Sequence, residues 1–326
     1  MSETRKRKKD SKSNKPETES EVSQAVKAEP KVKPRYVNPH FSVSSLKILS
    51  KVVIIFATLI VVYYRSNDEG IKPLAKQSEV LEGRYQIVDC APDFLNEISD
   101  FDGCVPAQCK RVVTDKIINK IEAGALLAVA KKGLALGGSS GGASILNLHS
   151  GALSMGQRFV NLYKLKGTEK LFSETDFMIY NSVKAKAKHA VAQAFNLDPE
   201  KIYLADPTFF SEITSKDAVT IHDEYWHPHV DKETYKAFHY TTLLYLGDYS
   251  KDFEGGRFVF IDDKYNRTVE PKIGRLNMFT SGKENPHYVE KVTSGVRYAL
   301  TIAFTCDKNN AIKEPVNKFL VHCKVR

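Results

Sequence analysis

Four residues in the last third of this chain could together do chemistry: His229 and Asp231 in EYWHPHVD, His287 in NPHYVE, and Arg297 in SGVRYAL. Two imidazoles and one carboxylate are the ligand set of a non-heme Fe(II) centre that keeps coordination positions open. The arginine follows the second histidine by ten residues. Its planar guanidinium fork, if buried, requires an anion and pairs best with a carboxylate. No single element of this set carries the reading, because a chain with nine histidines can produce one HxD triplet by chance.

The spacing fits that chemistry. Residues two apart on a strand share a face about 6–7 Å apart, so His229 and Asp231 can reach one metal. His287 must arrive from a different strand, 56 residues beyond Asp231. In GVRYALTIAFTC, Arg297, Ala299 and Thr301 alternate inward, while Val296, Tyr298, Leu300 and Ile302 face the other way. The anion for Arg297 could be the distal carboxylate of 2-oxoglutarate. A competing set is local: His227, His229 and His287 would make a three-histidine, zinc-type site. His227 and Asp231 lie about 13 Å apart along an extended strand, so only one of them serves. The three-histidine set leaves Arg297 without a partner.

The surrounding pattern supplies elements to hold these residues. HYTTLLYLGDYSKDFEGGRFVF reads as strand, turn and strand, and GRLNMFTSG leads through NPH into the long VRYALTIAF strand. Upstream, the stripe Val113, Ile117, Ile118, Ile121 and Leu126 predicts a helix over Val112–Ala135. Phe177–Phe195 predicts a second, leading into the strand KIYLADPTFFSEIT. The Gly/Ser stretch at 136–143 lacks the GK[ST] ending of a phosphate loop and reads as a flexible loop near the site entrance. His149, His189, His222, His239 and His322 receive no role, and no internal repeat is evident.

From about Phe177 to Cys306 these motifs resemble the prolyl 4-hydroxylase-like Fe(II)- and 2-oxoglutarate-dependent dioxygenases. The resemblance implies a mainly β fold with flanking helices, built on a double-stranded β-helix, or jelly roll. It implies iron held by His229, Asp231 and His287, with 2-oxoglutarate chelating the metal and Arg297 anchoring its far carboxylate. Tyr245 and Thr301 fall where the family often places hydroxyls near that carboxylate. Dioxygen would be the second cosubstrate, succinate and carbon dioxide the products, and ascorbate the reductant that rescues oxidised iron. The metal carboxylate Asp231 favours hydroxylation over halogenation. By the same analogy the substrate is a protein, at prolyl or lysyl side chains. A binding protein that retains the metal site without turnover is the alternative.

The remaining segments suggest where such a domain would sit. Residues 1–45 are Lys-, Glu-, Ser- and Pro-rich and predict a disordered tail; RKRKK at 5–9 is its most basic run. LKILSKVVIIFATLIVVYY at 46–64 predicts a single transmembrane signal anchor. Residues 1–47 carry 12 Lys/Arg against 6 Asp/Glu. That bias places the N-terminus in the cytosol and the rest on the lumenal or extracellular side, a type II topology. From Arg65 onward 35 basic residues face 33 acidic ones, which removes the electrostatic argument for nucleic-acid binding by the folded domain. Cys90, Cys104, Cys109, Cys306 and Cys323 allow two disulfides with one thiol over, Cys323 being the expected odd one; pairing is not readable. Asn266-Arg267-Thr268 is a glycosylation sequon, expected on a surface turn. The expected divisions are 65–110 as a Cys-containing stem, 111–200 as helical support, 201–310 as the catalytic jelly roll and 311–326 as a C-terminal tail.

Overall fold

A computed structural model describes residues 43–66 and 70–313, with side chains described over 47–63 of the first helix. The basic run at 5–9, most of both tails and Cys323 lie outside the described residues.

Helix α1 spans Val43–Ser66 and exposes Ile48, Val53, Ile54, Phe56, Val62 and Tyr63, among other large apolar side chains. Ser50, Lys51 and Thr58 interrupt it; the two hydroxyls bond back to carbonyls three or four residues earlier. Among the described residues no helix is long and apolar enough to cross a membrane. The anchor expected over 46–64 is thus not shown by the described residues.

The rest is mainly β with flanking helices: α2 (Pro92–Ile98), α3 (Lys120–Leu134), α4 (Glu174–Phe195) and the single turn α5 (Asp231–Thr234). A 12-stranded sheet and a 4-stranded sheet lie among the described residues, an arrangement consistent with a jelly roll. The larger sheet runs through its centre as Lys110–Thr114, Leu276–Thr280, Tyr240–Tyr245, Val292–Thr305 and Phe209–Thr214, neighbours pairing antiparallel. The smaller contains Ile71–Ala75, Asn266–Val269, Phe258–Phe260 and His287–Val289.

Alternation divides the side chains of the larger sheet between two cores. Leu276, Met278, Leu300 and Ile302 pack with the buried faces of α3 and α4. Leu243, Tyr245, Phe279 and Ala299 pack instead with Phe258, Phe260 and Val269 of the smaller sheet. This second core is the inside of the roll. The inward set expected for the last long strand is therefore correct.

Four expectations change. The helix expected from Val112 starts at Lys120, where Asn119 and Glu122 form a reciprocal capping box. Residues 110–114 are instead a strand, because KRVVT has β-branched residues with two partner strands to pair with. The sheet also recruits Arg84–Ile87, Ala143–Leu146 and Ala152–Gly156, so the roll is not confined to 201–310. Asn266 opens a strand, half-buried, with Thr268 buried beside it, so the sequon is not on a turn. The Gly/Ser segment is fastened rather than loose: Ser139 Oγ donates to buried Asp223 at 2.5 Å, and a Cβ at Gly141 would meet that carboxylate.

The cysteines pair Cys90 with Cys109 and Cys104 with Cys306. The second bridge ties the segment after α2 to the end of the long strand across 202 residues. Cross-linking so long a loop restricts the unfolded chain strongly, so it supports the roll more than the local bridge does.

Candidate active site

The two histidines are fixed by each other's backbone. His229 N–H donates to His287 O, and His287 N–H donates to His229 O, both at 2.9 Å. This isolated antiparallel bridge brings the imidazole centroids to 4.4 Å. Asp231 is not on that extended stretch: it is the first residue of α5, whose Lys232 N–H is held by Ser281 O at 3.1 Å. The turn nevertheless returns its carboxylate to the same point. Asp231 Oδ1 lies 3.8 Å from His229 Nε2 and 3.6 Å from His287 Nε2. Two ligands roughly 2.1 Å from one ion and at right angles would be about 3 Å apart, so the three donors need to close only slightly on a cation.

Their outer atoms prepare them for that role. His229 Nδ1 is 3.0 Å from His227 O, and His287 Nδ1 is 2.9 Å from Asn285 O. A carbonyl can only accept, so each Nδ1 carries the proton and each Nε2 presents its lone pair. Burial pushes His287 down to about 4, against the attraction of Asp231, which keeps the imidazole neutral near pH 7. Asp231 Oδ2 accepts from Thr241 Oγ1 at 2.6 Å, leaving Oδ1 to face the histidines. Asn285 itself is held by Arg111, whose Nε donates to Asn285 Oδ1 at 2.7 Å while its Nη1 pairs with Asp262 at 2.8 Å. His227 stands outside the cluster, its Nε2 bonded to Glu224 at 2.7 Å and its carbonyl orienting His229. Among the described residues these are the His, Cys, Asp and Glu side chains gathered closely enough to hold an ion.

Beside the cluster opens a cavity of about 360 Å³, walled by Leu243, Phe258, Phe279, Val289, Thr301 and Arg297. Arg297 is 1 % exposed, its Nε donates to Gly256 O at 2.8 Å, and its Nη2 has no partner. No carboxylate among the described residues pairs with it, and burial lowers its pKa. A desolvated guanidinium without a counter-ion is costly, which fits a pocket completed by an anionic ligand. Tyr245 is fully buried, its ring centroid 5.5 Å from Arg297 Cζ and its hydroxyl without a partner. It lies behind the wall, whereas Thr301 is part of it. The residues therefore fit both groups: three donors for a cation, and a buried cationic fork with hydroxyls for a carboxylate.

Gly256 sets the approach of Arg297. Its φ is +66°, and an added Cβ would come within 2.9 Å of both Arg297 Cδ and Val292 Cγ2. The FEGGRF motif thus has a steric reason at this position. Gly256→Ala is expected to weaken 2-oxoglutarate binding roughly tenfold, through strain and a displaced guanidinium. Titration calorimetry with Mn(II) present would read the shift, and unchanged affinity would dissociate Gly256 from the pocket.

Sequence spacing located His229, Asp231, His287 and Arg297, and the fold brings them to one cavity. Thr241, Asn285 and Arg111 carried no sequence signal, since each acts through a neighbour.

Comparison with known proteins agrees with this geometry. The profile described as 2OG-Fe(II) oxygenase superfamily matches residues 217–305. The Mus musculus protein 2-oxoglutarate and iron-dependent oxygenase domain-containing protein 3 is 52% identical over 252 residues, covering 77% of this chain and 80% of its own. Homo sapiens prolyl 3-hydroxylase 2 is 48% identical over 71 residues, 21% of this chain and 10% of its own. A solved prolyl hydroxylase from Trichoplax adhaerens, in complex with a hypoxia inducible factor peptide fragment, aligns at TM-score 0.41 and 14% identity over 67% of this chain and 90% of that one.

Proposed function

The chain belongs to the 2OG-Fe(II) oxygenase superfamily and is a 2-oxoglutarate-dependent dioxygenase requiring Fe(II); from that premise we propose that it hydroxylates a protein side chain, prolyl or lysyl, from a membrane-anchored position on the lumenal or extracellular side. The observation that carries the enzymatic part is one cavity holding both the His229–Asp231–His287 donors and the unpaired Arg297 guanidinium.

In this reading His229, Asp231 and His287 hold Fe(II), and Arg297, Tyr245 and Thr301 hold the distal carboxylate of 2-oxoglutarate. With dioxygen, the bound pair supplies hydroxylation of a C–H bond with release of succinate and carbon dioxide, and ascorbate keeps the iron reduced. The two carbonyls behind the histidines hold the Nδ1 protons, so neither imidazole turns away from the metal. Thr241 keeps one Asp231 oxygen occupied and the other free. Leu243, Phe258, Phe279 and Val289 exclude water from the cosubstrate, which strengthens its pairing with Arg297. The substrate side chain would enter past Ile221, Tyr225 and Tyr235, which line the same cavity. An apolar, aromatic entrance suits a ring or an alkyl stem better than an acidic side chain.

The substrate class has the support of the short, close match to a protein named as a prolyl 3-hydroxylase. The anchor has the support of the exposed apolar side chains along α1 and of the basic excess before it. A lumenal domain agrees with two disulfides and would present the Asn266 sequon to glycosylation. The expected divisions at 46–64, 65–110, 111–200, 201–310 and 311–326 are kept as functional segments, with strands from the second and third joining the roll.

One experiment covers both parts. In cells expressing the full chain, proteins of the secretory pathway are expected to gain oxygen on prolyl or lysyl residues relative to cells expressing Asp231→Ala. The chain itself is expected to stay with membranes after alkaline carbonate extraction. No difference in hydroxylation would remove the substrate class, and release into the soluble fraction would remove the anchor.

A further inference from the structure

Behind the wall of the cosubstrate cavity, beside Tyr245, lies one more buried polar group than the assigned residues account for. Asn277, on strand Leu276–Thr280, is fully buried, and neither its Oδ1 nor its Nδ2 has a hydrogen-bond partner. Its strand neighbours Leu276 and Met278 face the helical core. Asn277 is paired opposite Leu243 on one side and Val113 on the other. Both of those belong to the core inside the roll, as does Tyr245, two residues beyond Leu243 on the same face. The Tyr245 hydroxyl and Arg297 Nη2 are likewise buried and without partners. Three adjacent side chains therefore leave polar atoms unmet, in a fold that elsewhere bonds its buried arginines Arg111 and Arg275 to several acceptors.

Burial raises the pKa of Tyr245, while the Asn277 amide acts on the phenol as a hydrogen-bond donor would. The strand register puts the two side chains on one face of neighbouring strands, although Tyr245 does not donate to anything. A phenol has one hydrogen to give and lone pairs to receive. If Nδ2 fills a lone pair, the O–H must find its acceptor elsewhere, and the Arg297 guanidinium, 5.5 Å from the ring centroid, marks the side on which a bound carboxylate would offer one.

We propose that Asn277 is a positioning residue for the cosubstrate: its Nδ2–H donates to Tyr245 and turns the phenol O–H toward the carboxylate that Arg297 holds. This rests on the assignment of Arg297 and Tyr245 to that carboxylate. It explains why an amide stands where Leu, of similar size, would avoid the cost of an unpaired buried group. The arrangement gives up stability without ligand and recovers it when a dicarboxylate binds.

The test measures 2-oxoglutarate binding to the full chain in detergent, with Mn(II) in place of Fe(II). Asn277→Leu is expected to bind roughly fivefold to tenfold more weakly, yet to melt at or above the wild-type temperature without ligand. In a Tyr245→Phe background the same substitution is expected to change binding less than about twofold, because its action runs through the hydroxyl. Turnover with Fe(II) is expected to show a raised KM for 2-oxoglutarate and an unchanged kcat. Should Asn277→Leu fail to fold, Asn277→Asp decides: its carboxylate would accept the phenol proton and reverse the bond, so a larger loss is expected. Wild-type affinity in the variant that folds, or an equal loss in both backgrounds, would overturn the role of Asn277. Arg297→Met keeps the premise separate: if it binds 2-oxoglutarate as tightly as wild type, the carboxylate site itself is misassigned.

Discussion

Arg297→Met is expected to abolish measurable 2-oxoglutarate binding while leaving the protein folded and as stable as before. The guanidinium is buried and has no anion among the described residues. Removing it from the bound state leaves a buried carboxylate unpaired, which costs roughly 3–5 kcal/mol, or about two to four orders of magnitude in affinity. Removing it from the free state has the opposite character, since an uncompensated buried charge disappears and Met fills similar volume. The wild type is therefore expected to gain melting temperature on adding 2-oxoglutarate, and the variant to gain none. Arg297→Lys keeps the charge but not the fork, and is expected to fall between the two. Thermal melts of the three proteins with and without 2-oxoglutarate check this. An equal shift in all three would place the cosubstrate elsewhere.

The second large effect concerns the metal. Asp231 supplies the one carboxylate of the cluster, with Oδ1 within 3.8 Å of both Nε2 atoms. Asp231→Ala leaves only two imidazoles, a set that holds Fe(II) far more weakly because it has neither the negative charge nor the third donor. Bound iron is expected to fall below about a tenth of an equivalent after desalting, and succinate formation by at least roughly a thousandfold. The loss is not a folding defect: the residue opens a one-turn helix near the surface, and the Thr241 hydroxyl that it frees keeps Ser281 Oγ as a neighbour at 2.9 Å. Metal analysis and a melt of the same sample separate the two. A variant that keeps its iron would return the His227, His229 and His287 set to consideration, though His227 is turned to Glu224.

How much of this was legible in the sequence depends on how far each signal reaches. The donors and Arg297 were readable because metal chemistry restricts residue type and strand geometry restricts spacing. The three side chains converge even though Asp231 opens a turn rather than continuing the strand, because a tight turn returns a side chain to the same place. The strand at 110–114 was missed because Val113 continues the apolar stripe of α3; only pairing with Leu276–Thr280 reveals it. The disulfide partners were unreadable since Cys104 and Cys306 meet only when the roll closes. Asn277 gave no signal, lying in an apolar run where an amide reads as a surface residue. Gly256 was visible as opening the second strand of the hairpin, but its closeness to Arg297 was not.

Conversion of 2-oxoglutarate to succinate by the full chain, with Fe(II), ascorbate and oxygen but no added substrate, tests the central claim most directly. Such enzymes need no known substrate for slow uncoupled turnover, so the assay depends only on the residues placed here. The expected result is stoichiometric succinate from the wild type, lost in Asp231→Ala for want of metal and in Arg297→Met for want of cosubstrate. Succinate formed at equal rates by all three proteins, or by none while the wild type binds neither iron nor 2-oxoglutarate, would contradict it.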